Sequence, residues 1–198
     1  MKKIIIATAN HHKLEEYSAI FTPLGYQVFL PADLGLKLEF TETGTSFKEN
    51  ALIKAKSVHK EGYAVLADDS GLEIAALDNR PGLYSHRFYA ELSQTEKNAK
   101  VLELLQGKED RFARFIAVIA LILPNQAPRF FTGIAPGYIM KEPIGDHGFG
   151  YDPIFFSFEA NAPFATLSMG EKNRYSHRGK ATKLLLEFLE KNMHKSNF

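Results

Sequence analysis

Hydrophobic positions along this chain follow two periods, and the switches between them outline the fold. Lys3–Thr8 opens on an unbroken apolar run, the pattern of a strand buried on both faces. Ala9-Asn10-His11-His12 reads as the loop after it. Leu14, Tyr17, Ile20, Phe21 and Leu24 then recur at helical spacing, with Gly25 as the stop. Gln27–Leu30 predicts a short second strand. Ser46-Phe47-Lys48-Glu49 has capping-box spacing before a helix striped by Phe47, Ala51, Ala55 and Val58, which Gly62 ends. Tyr63–Ala67 predicts a strand running into Asp68-Asp69-Ser70-Gly71, residue types that favour a turn. Ser93-Gln94-Thr95-Glu96 opens a third helix that buries Val101, Leu102 and Leu105. Arg111–Leu123 and Arg129–Met140 predict an antiparallel hairpin around the Pro124 to Pro128 turn. A last helix carries Ala181, Leu184, Leu185, Phe188 and Leu189 on one face. Helices and strands are intermixed, which predicts an α/β fold with a mixed, strongly twisted sheet flanked by helices.

Composition narrows the class. At 198 residues with 45% hydrophobic, the chain has material for one well-filled core. No linker, low-complexity tract or repeat interrupts it, so 1–198 reads as a single domain. Cysteine is absent, which removes disulfides, thiolate nucleophiles and cysteine-containing metal sites. The apolar run after Met1-Lys2-Lys3 is too short for a secretory signal. The longest apolar stretch, Phe115–Leu123, falls far short of the ~20 residues that cross a bilayer. A cytoplasmic protein with no membrane partner is the expectation. Twenty-four Lys and Arg against 23 Asp and Glu give a net charge of +1, which argues against a nucleic-acid binder working by counterion release. A small phosphorylated ligand needs only a local positive patch.

Chemistry gathers at five places. The Thr8–Lys13 loop enters a helix N-terminus, whose unpaired N–H groups suit an anion, with Thr8 and Asn10 as neutral donors and Lys13 as a full charge. The same residues also read as an ordinary capped helix start. Asp68 and Asp69, at the carboxyl end of an apolar strand, could hold a hard cation through oxygen, and one could deprotonate a water; a plain turn is the alternative. Glu39 and Glu42 lie in a loop that could complete a magnesium site or simply face solvent, while Lys54 and Lys56 read as exposed helix lysines. Gly145–Pro153 sets Phe149, Tyr151 and Asp152 among glycines. That suits stacking on a planar ring with an acid or backbone group reading its edge, or a chain reversal with both aromatics in the core. Lys172, Arg174, His177 and Arg178 cluster at the expected start of the last helix, where cations oppose the dipole unless an anion or an electron-rich base binds. Neither H-E-x-x-H nor G-x-S-x-G occurs among these residues, so zinc-peptidase and serine-hydrolase chemistry lack their signatures.

Taken in order, these segments resemble the non-canonical purine nucleoside triphosphate pyrophosphatases, the Ham1-like or ITP/XTP pyrophosphatase family. The resemblance rests on T-x-N-x-x-K at Thr8–Lys13, E-T-G-x-x-F-x-E-N-A-x-x-K-A at Glu42–Ala55 and A-D-D-S-G-L at Ala67–Leu72. It continues with P-G-x-Y-S at Pro81–Ser85, G-F-G-Y-D-P-I-F at Gly148–Phe155 and E-K-N-x-x-S-H-R at Glu171–Arg178. It implies an elongated sheet with two lobes around a central cleft, a homodimer, and Mg2+-dependent hydrolysis of ITP, dITP and XTP to the monophosphate and pyrophosphate. It further implies that the Thr8, Ala9, Asn10, His11, His12 and Lys13 loop, with Lys54, meets the triphosphate. Asp69 would be general base and metal ligand, assisted by Asp68 and Glu42, and Ser70 would touch substrate. Phe149, Gly150, Tyr151 and Asp152, with Lys172, His177 and Arg178, would form the purine pocket. His11 and His12 stand where relatives often carry small residues, His86-Arg87-Phe88 replaces a more usual Ala-Arg-Tyr, and Thr41 stands where some relatives have an acid. A pyrophosphatase for another modified nucleotide, or a non-catalytic nucleotide-binding protein, are the competing readings.

Overall fold

The structure, a computed structural model, describes residues 2–58 and 60–193. The limits of the expected domain, at 1 and 198, lie outside the described residues. The chain divides into two compact units. One comprises the described residues of Met1–Asp69, Val118–Thr132 and Ala181–Phe198, the other Ser70–Ala117 and Gly133–Lys180.

In the first unit, β1 (Lys2–Ile6) buries Ile4, Ile5 and Ile6 completely. It pairs in parallel with β2 (Tyr26–Phe29) and with the start of β3 (Ala64–Ile74). Parallel strands flanked on both sides by other strands carry continuous apolar runs, and the three isoleucines supply one. α1 (His11–Phe21) begins inside the segment expected to be loop, because Asn10 caps it by accepting from the His12 and Lys13 amides. Pro23 has no amide to continue the helix, so Thr22–Leu24 tightens into a 3-10 turn. Leu24 thereby leaves the apolar stripe and is half exposed, and Gly25 closes the turn at φ +78°. α2 (Phe47–Ser57) ends well before Gly62. Its Ser46 cap accepts from the Glu49 amide, but Glu49 reaches back to the Thr45 amide and hydroxyl, so the box is shifted by one residue. The core of this unit joins Ile5, Val65 and Ala67 to Ala51, Ala55 and Val58.

The second unit holds β4 (Arg80–Pro81), α3 (Gln94–Leu104), β7 (Phe155–Ser157), β8 (Ala162–Pro163) and α4 (Met169–Tyr175). A full capping box between Ser93 and Glu96 opens α3 as the sequence predicts, and Ser168 with Glu171 does the same for α4. Phe115 packs edge-on to Phe155 and parallel to Phe164 in the core. Three elements contribute residues to both units besides β3: β5 (Phe112–Ile122), β6 (Arg129–Ile139) and α5 (His177–Met193). Among the described residues the strands form one open, twisted, mixed eight-stranded sheet in the order β2-β1-β3-β5-β6-β7-β8, with β4 paired antiparallel to β3.

Three expectations change. Asp68-Asp69-Ser70-Gly71 is not a turn: β3 runs straight through it to Ile74. The basic segment is not one helix start either, since α4 ends at Tyr175 and Ser176 is extended before α5 begins. Lys172 and Arg174 therefore occupy the last turn of α4, where the helix dipole favours cations, and the opposition inferred from sequence disappears for those two. On α5 the buried seam is Ala181, Leu185 and Leu189, one residue in four, while Leu184 is exposed.

Candidate active site

The carboxylate cluster belongs to the first unit. After β1 the chain folds back on itself, the Thr8 hydroxyl accepting from the Asn10 amide at 3.0 Å. That geometry aims the first turn of α1 away from Ile6 and leaves Ala9, His11 and His12 exposed. Asn10 spends its side-chain oxygen on the cap and retains only its amide N–H groups as donors. Lys13 turns inward, with its Nζ 3.0 Å from Asp68 Oδ2. From α2, Lys54 enters the same cluster. It is 8% exposed rather than a surface lysine, and its Nζ lies 2.6 Å from Asp69 Oδ1 and 2.9 Å from Glu42 Oε1. Glu39 stays outside, exposed and 3.7 Å from Lys37. Of the two glutamates, Glu42 is the one that joins this cluster.

Three carboxylates and two ammonium groups meet here. Burial pushes the Asp69 carboxyl above its ordinary range, against the pull of Lys54 and Lys13, with Glu42 adding to the rise. Burial pulls Lys54 down, but Asp69, Asp68 and Glu42 outweigh it and hold Lys54 above its ordinary value. Asp69 Oδ2 is buried and has no hydrogen-bond partner among the described residues. A buried acceptor left unsatisfied is costly, and such orphans mark sites built for a ligand. A neighbouring cavity of about 290 Å³ touches Thr8, Asn10 and His11, but Leu30, Leu36 and Leu38 make its walls largely apolar.

The aromatic loop belongs to the second unit. Gly148 and Gly150 both have positive φ, +77° and +65°. At Gly148 a Cβ would overlap the Asp152 carboxylate, so glycine is required there for space as well as conformation. Asp152 Oδ2 accepts from the Phe149 amide and from Lys172 Nζ, both at 2.7 Å. The acid expected to read a base edge is thus a buried brace. Lys172 Nζ sits 4.5 Å from the Phe149 ring centroid, and the Arg178 guanidinium 5.6 Å away. Arg178 also donates to the Ser70 hydroxyl at 3.0 Å. His177, buried, stacks on Phe115 at 4.8 Å. Of the two aromatics, Phe149 is the half-buried platform and Tyr151 is the core anchor.

Tyr151 supplies a pH handle. Its hydroxyl donates to the Ser85 carbonyl at 3.0 Å, and burial raises the phenol from 10.0 to about 12. A raised folded-state value stabilises the neutral form, so this contribution is complete below pH 10 and is lost as pH climbs to about 12. Tyr151→Phe is expected to remove that part of the alkaline fall in stability, measured as denaturant midpoint against pH. An unchanged alkaline slope would show that Tyr151 does not carry it.

Two contributors escaped the sequence reading. Asn98 donates from its amide to the Gly150 carbonyl at 3.1 Å, and Ser85 receives Tyr151 while accepting from the Leu72 amide. The signal for Asn98 was present: a polar, poor helix former in the interior of a well-capped helix. Among the described residues no three acidic or imidazole groups converge as a ready metal cage.

Lysine-bridged buried carboxylates beside a helix start, and a cation-covered ring on a glycine loop, define an α/β protein equipped for a phosphorylated, ring-bearing ligand. The chain belongs to the Ham1 family, whose model matches residues 4–188. It is 45% identical over 194 residues to the dITP/XTP pyrophosphatase of Bacillus licheniformis, covering 96% of this chain and 99% of that one. With a dITP/XTP pyrophosphatase of Thermus thermophilus the identity is 43%, covering 93% and 90%. Among solved structures, a HAM1 protein from Coxiella burnetii superposes with a TM-score of 0.87 at 38% identity, covering 96% of this chain and all of that one.

Proposed function

We propose that this protein hydrolyses non-canonical purine nucleoside triphosphates, ITP, dITP and XTP, to the monophosphate and pyrophosphate. The observation that carries the catalytic assignment is Asp69, buried, with one carboxylate oxygen on Lys54 and the other uncommitted. Relatives at 43–45% identity that are dITP/XTP pyrophosphatases support the substrate class.

Asp69 orients a water and accepts its proton as the water oxygen bonds to the α-phosphorus. The bond from that phosphorus to the bridging oxygen breaks, and pyrophosphate departs with the electron pair. A carboxyl held above its ordinary value by burial is a stronger proton acceptor than an exposed aspartate. Thr8, Asn10, Lys13 and Lys54 supply donors and charge to the triphosphate. To do so, Lys13 and Lys54 exchange carboxylate for phosphate oxygens, which frees Asp68, Asp69 and Glu42.

Those three acids are hard oxygen donors, and Mg2+ is commonly held by one or two carboxylates plus substrate phosphates rather than by an all-protein cage. The orphaned Asp69 Oδ2 fits such an ion. Asp69 would hold Mg2+ with help from Glu42 and Asp68, and the bound ion would neutralise charge developing on the phosphate oxygens. In the base pocket, Phe149 stacks on the purine and the Lys172, His177 and Arg178 donors favour a 6-oxo group over the amino group of adenine.

We read the assembly as a cytoplasmic homodimer. Exposed Phe112 and Phe158, continuous with the stacked Tyr138 and Phe156, form an aromatic face that a second copy could cover. Among the described residues no helix is long and apolar enough to cross a membrane.

The test is pyrophosphate release from ITP, dITP, XTP, GTP and ATP with and without Mg2+. Release from the first three only with the metal, and slower by about 10²-fold or more from GTP and ATP, is expected. Equal rates on all five would discard the pocket assignment, and no release from any would discard the enzyme.

A further inference from the structure

The geometry points to Asn98 as the positioning residue that fixes the base-recognition turn, and through it the purine preference; this rests on the functional reading above. The Asp152 amide donates to the Phe149 carbonyl at 3.3 Å, closing a four-residue turn over Phe149–Asp152. Its central residues are Gly150 at φ +65° and Tyr151 at φ −89°, ψ 5°. Half a revolution of the peptide between the two central residues would carry the buried Tyr151 to positive φ, so the turn has one favoured orientation and depends on what holds that peptide. That peptide carries the Gly150 carbonyl, and Asn98 is the residue that holds it.

Three further observations support the assignment. A Cβ on Gly150 would meet nothing within 4 Å, so the residue is glycine for its backbone conformation and not for space. Asn98 is 5% exposed in the interior of α3, a place that favours alanine or leucine on helix preference. Its amide is also oriented: Gln94 Nε2 donates to Asn98 Oδ1 at 3.1 Å, which turns Asn98 Nδ2 toward the turn. The other ties of the loop, Asp152 to the Phe149 amide and Tyr151 to Ser85, fix its ends and leave the central peptide to Asn98. Phe149 opens this turn, so a central peptide displaced from Asn98 shifts its ring against Lys172 and Arg178.

Asn98→Asp is nearly isosteric but presents two acceptors. It repels the Gly150 carbonyl and so pushes the turn out of place, whereas Asn98→Ala merely releases it. Steady-state kinetics on ITP and GTP are expected to show KM for ITP raised about tenfold in Asn98→Asp and less in Asn98→Ala. The kcat is expected to stay within about threefold, with the ITP-to-GTP ratio of kcat/KM falling in step with KM. Gln94→Ala, a change at an exposed position, gives the same split at about threefold and keeps the test open if Asn98→Ala fails to fold. Equilibrium binding of ITP is measured in parallel, so Asn98 is scored by affinity even if release fails and the hydrolytic reading falls. A loss of kcat at constant KM, an unchanged selectivity ratio, or Asn98→Asp no worse than Asn98→Ala would overturn the proposal.

Discussion

Asp69→Asn is expected to lower kcat for ITP by about 10³-fold while KM stays within a few-fold, a loss in the range that removing a positioned base produces. Asparagine keeps the shape of the side chain and an oxygen able to accept from Lys54 Nζ, now 2.6 Å away. It removes the negative charge and the proton acceptor. Stability separates this from a structural role. The substitution deletes a buried charge whose second oxygen lacks a partner among the described residues. The melting temperature of the metal-free protein should therefore hold or rise. The pH dependence follows with its sign. Asp69 must be ionised to act, and burial raises its carboxyl, so the acid limb of kcat/KM lies above the ordinary carboxylate range. A raised folded-state value also means that stability is complete below the unfolded carboxylate value and declines as pH rises through the folded one. That decline should vanish in Asp69→Asn. A variant within tenfold of wild-type kcat, or one that loses activity and melting temperature together, removes Asp69 from the base role.

What the sequence exposed was local. The isoleucine run of β1 and the Ser93–Glu96 box depend on a few adjacent residues, and both form as expected, whereas α1 stops at Phe21, short of Gly25. The strand was expected to end at Ala67, with a turn as one reading of Asp68–Gly71, because those residues favour turns when taken alone; β3 instead continues to Ile74. In the fold Lys13 answers Asp68, Lys54 answers Asp69 and Arg178 binds Ser70, and those partners come from other elements. The break between α4 and α5 was equally hidden. No proline or glycine stands at Ser176; instead Gly179 lets α5 approach the Asn173 carbonyl where any Cβ would collide. The family motifs brought the right residue types to attention, but not their partners. Lys54 looked like a surface lysine and Asp152 like a base reader until the contacts that bury them were known. Asn98 acts on Gly150 across 52 residues of sequence, beyond the reach of any local pattern.

The largest effect on stability is expected at Asp152. It is 2% exposed and Lys172 5%, so neither charge has solvent to fall back on. Asp152→Ala takes from the buried Lys172 ammonium the carboxylate it meets at 2.7 Å and takes from the Phe149 amide its acceptor at the same distance. Breaking one side of a buried pair costs about 3–5 kcal/mol, which for a chain of this size lowers the melting temperature by about 6–20 °C. Asp152→Asn keeps an acceptor for the Phe149 amide and should lose less. Pairing Asp152→Asn with Lys172→Met removes the ammonium charge and fills its space with an apolar chain, so much of the stability should return. Activity should not return with it. Lys172 also lies over the Phe149 ring at 4.5 Å, so the double variant regains its fold but keeps a raised KM for ITP. Thermal unfolding and KM measured across the three variants separate the two roles of the pair. Recovery of both together would mean the ion pair only holds the loop in place, whereas stability without affinity assigns the Lys172 charge to the purine pocket itself.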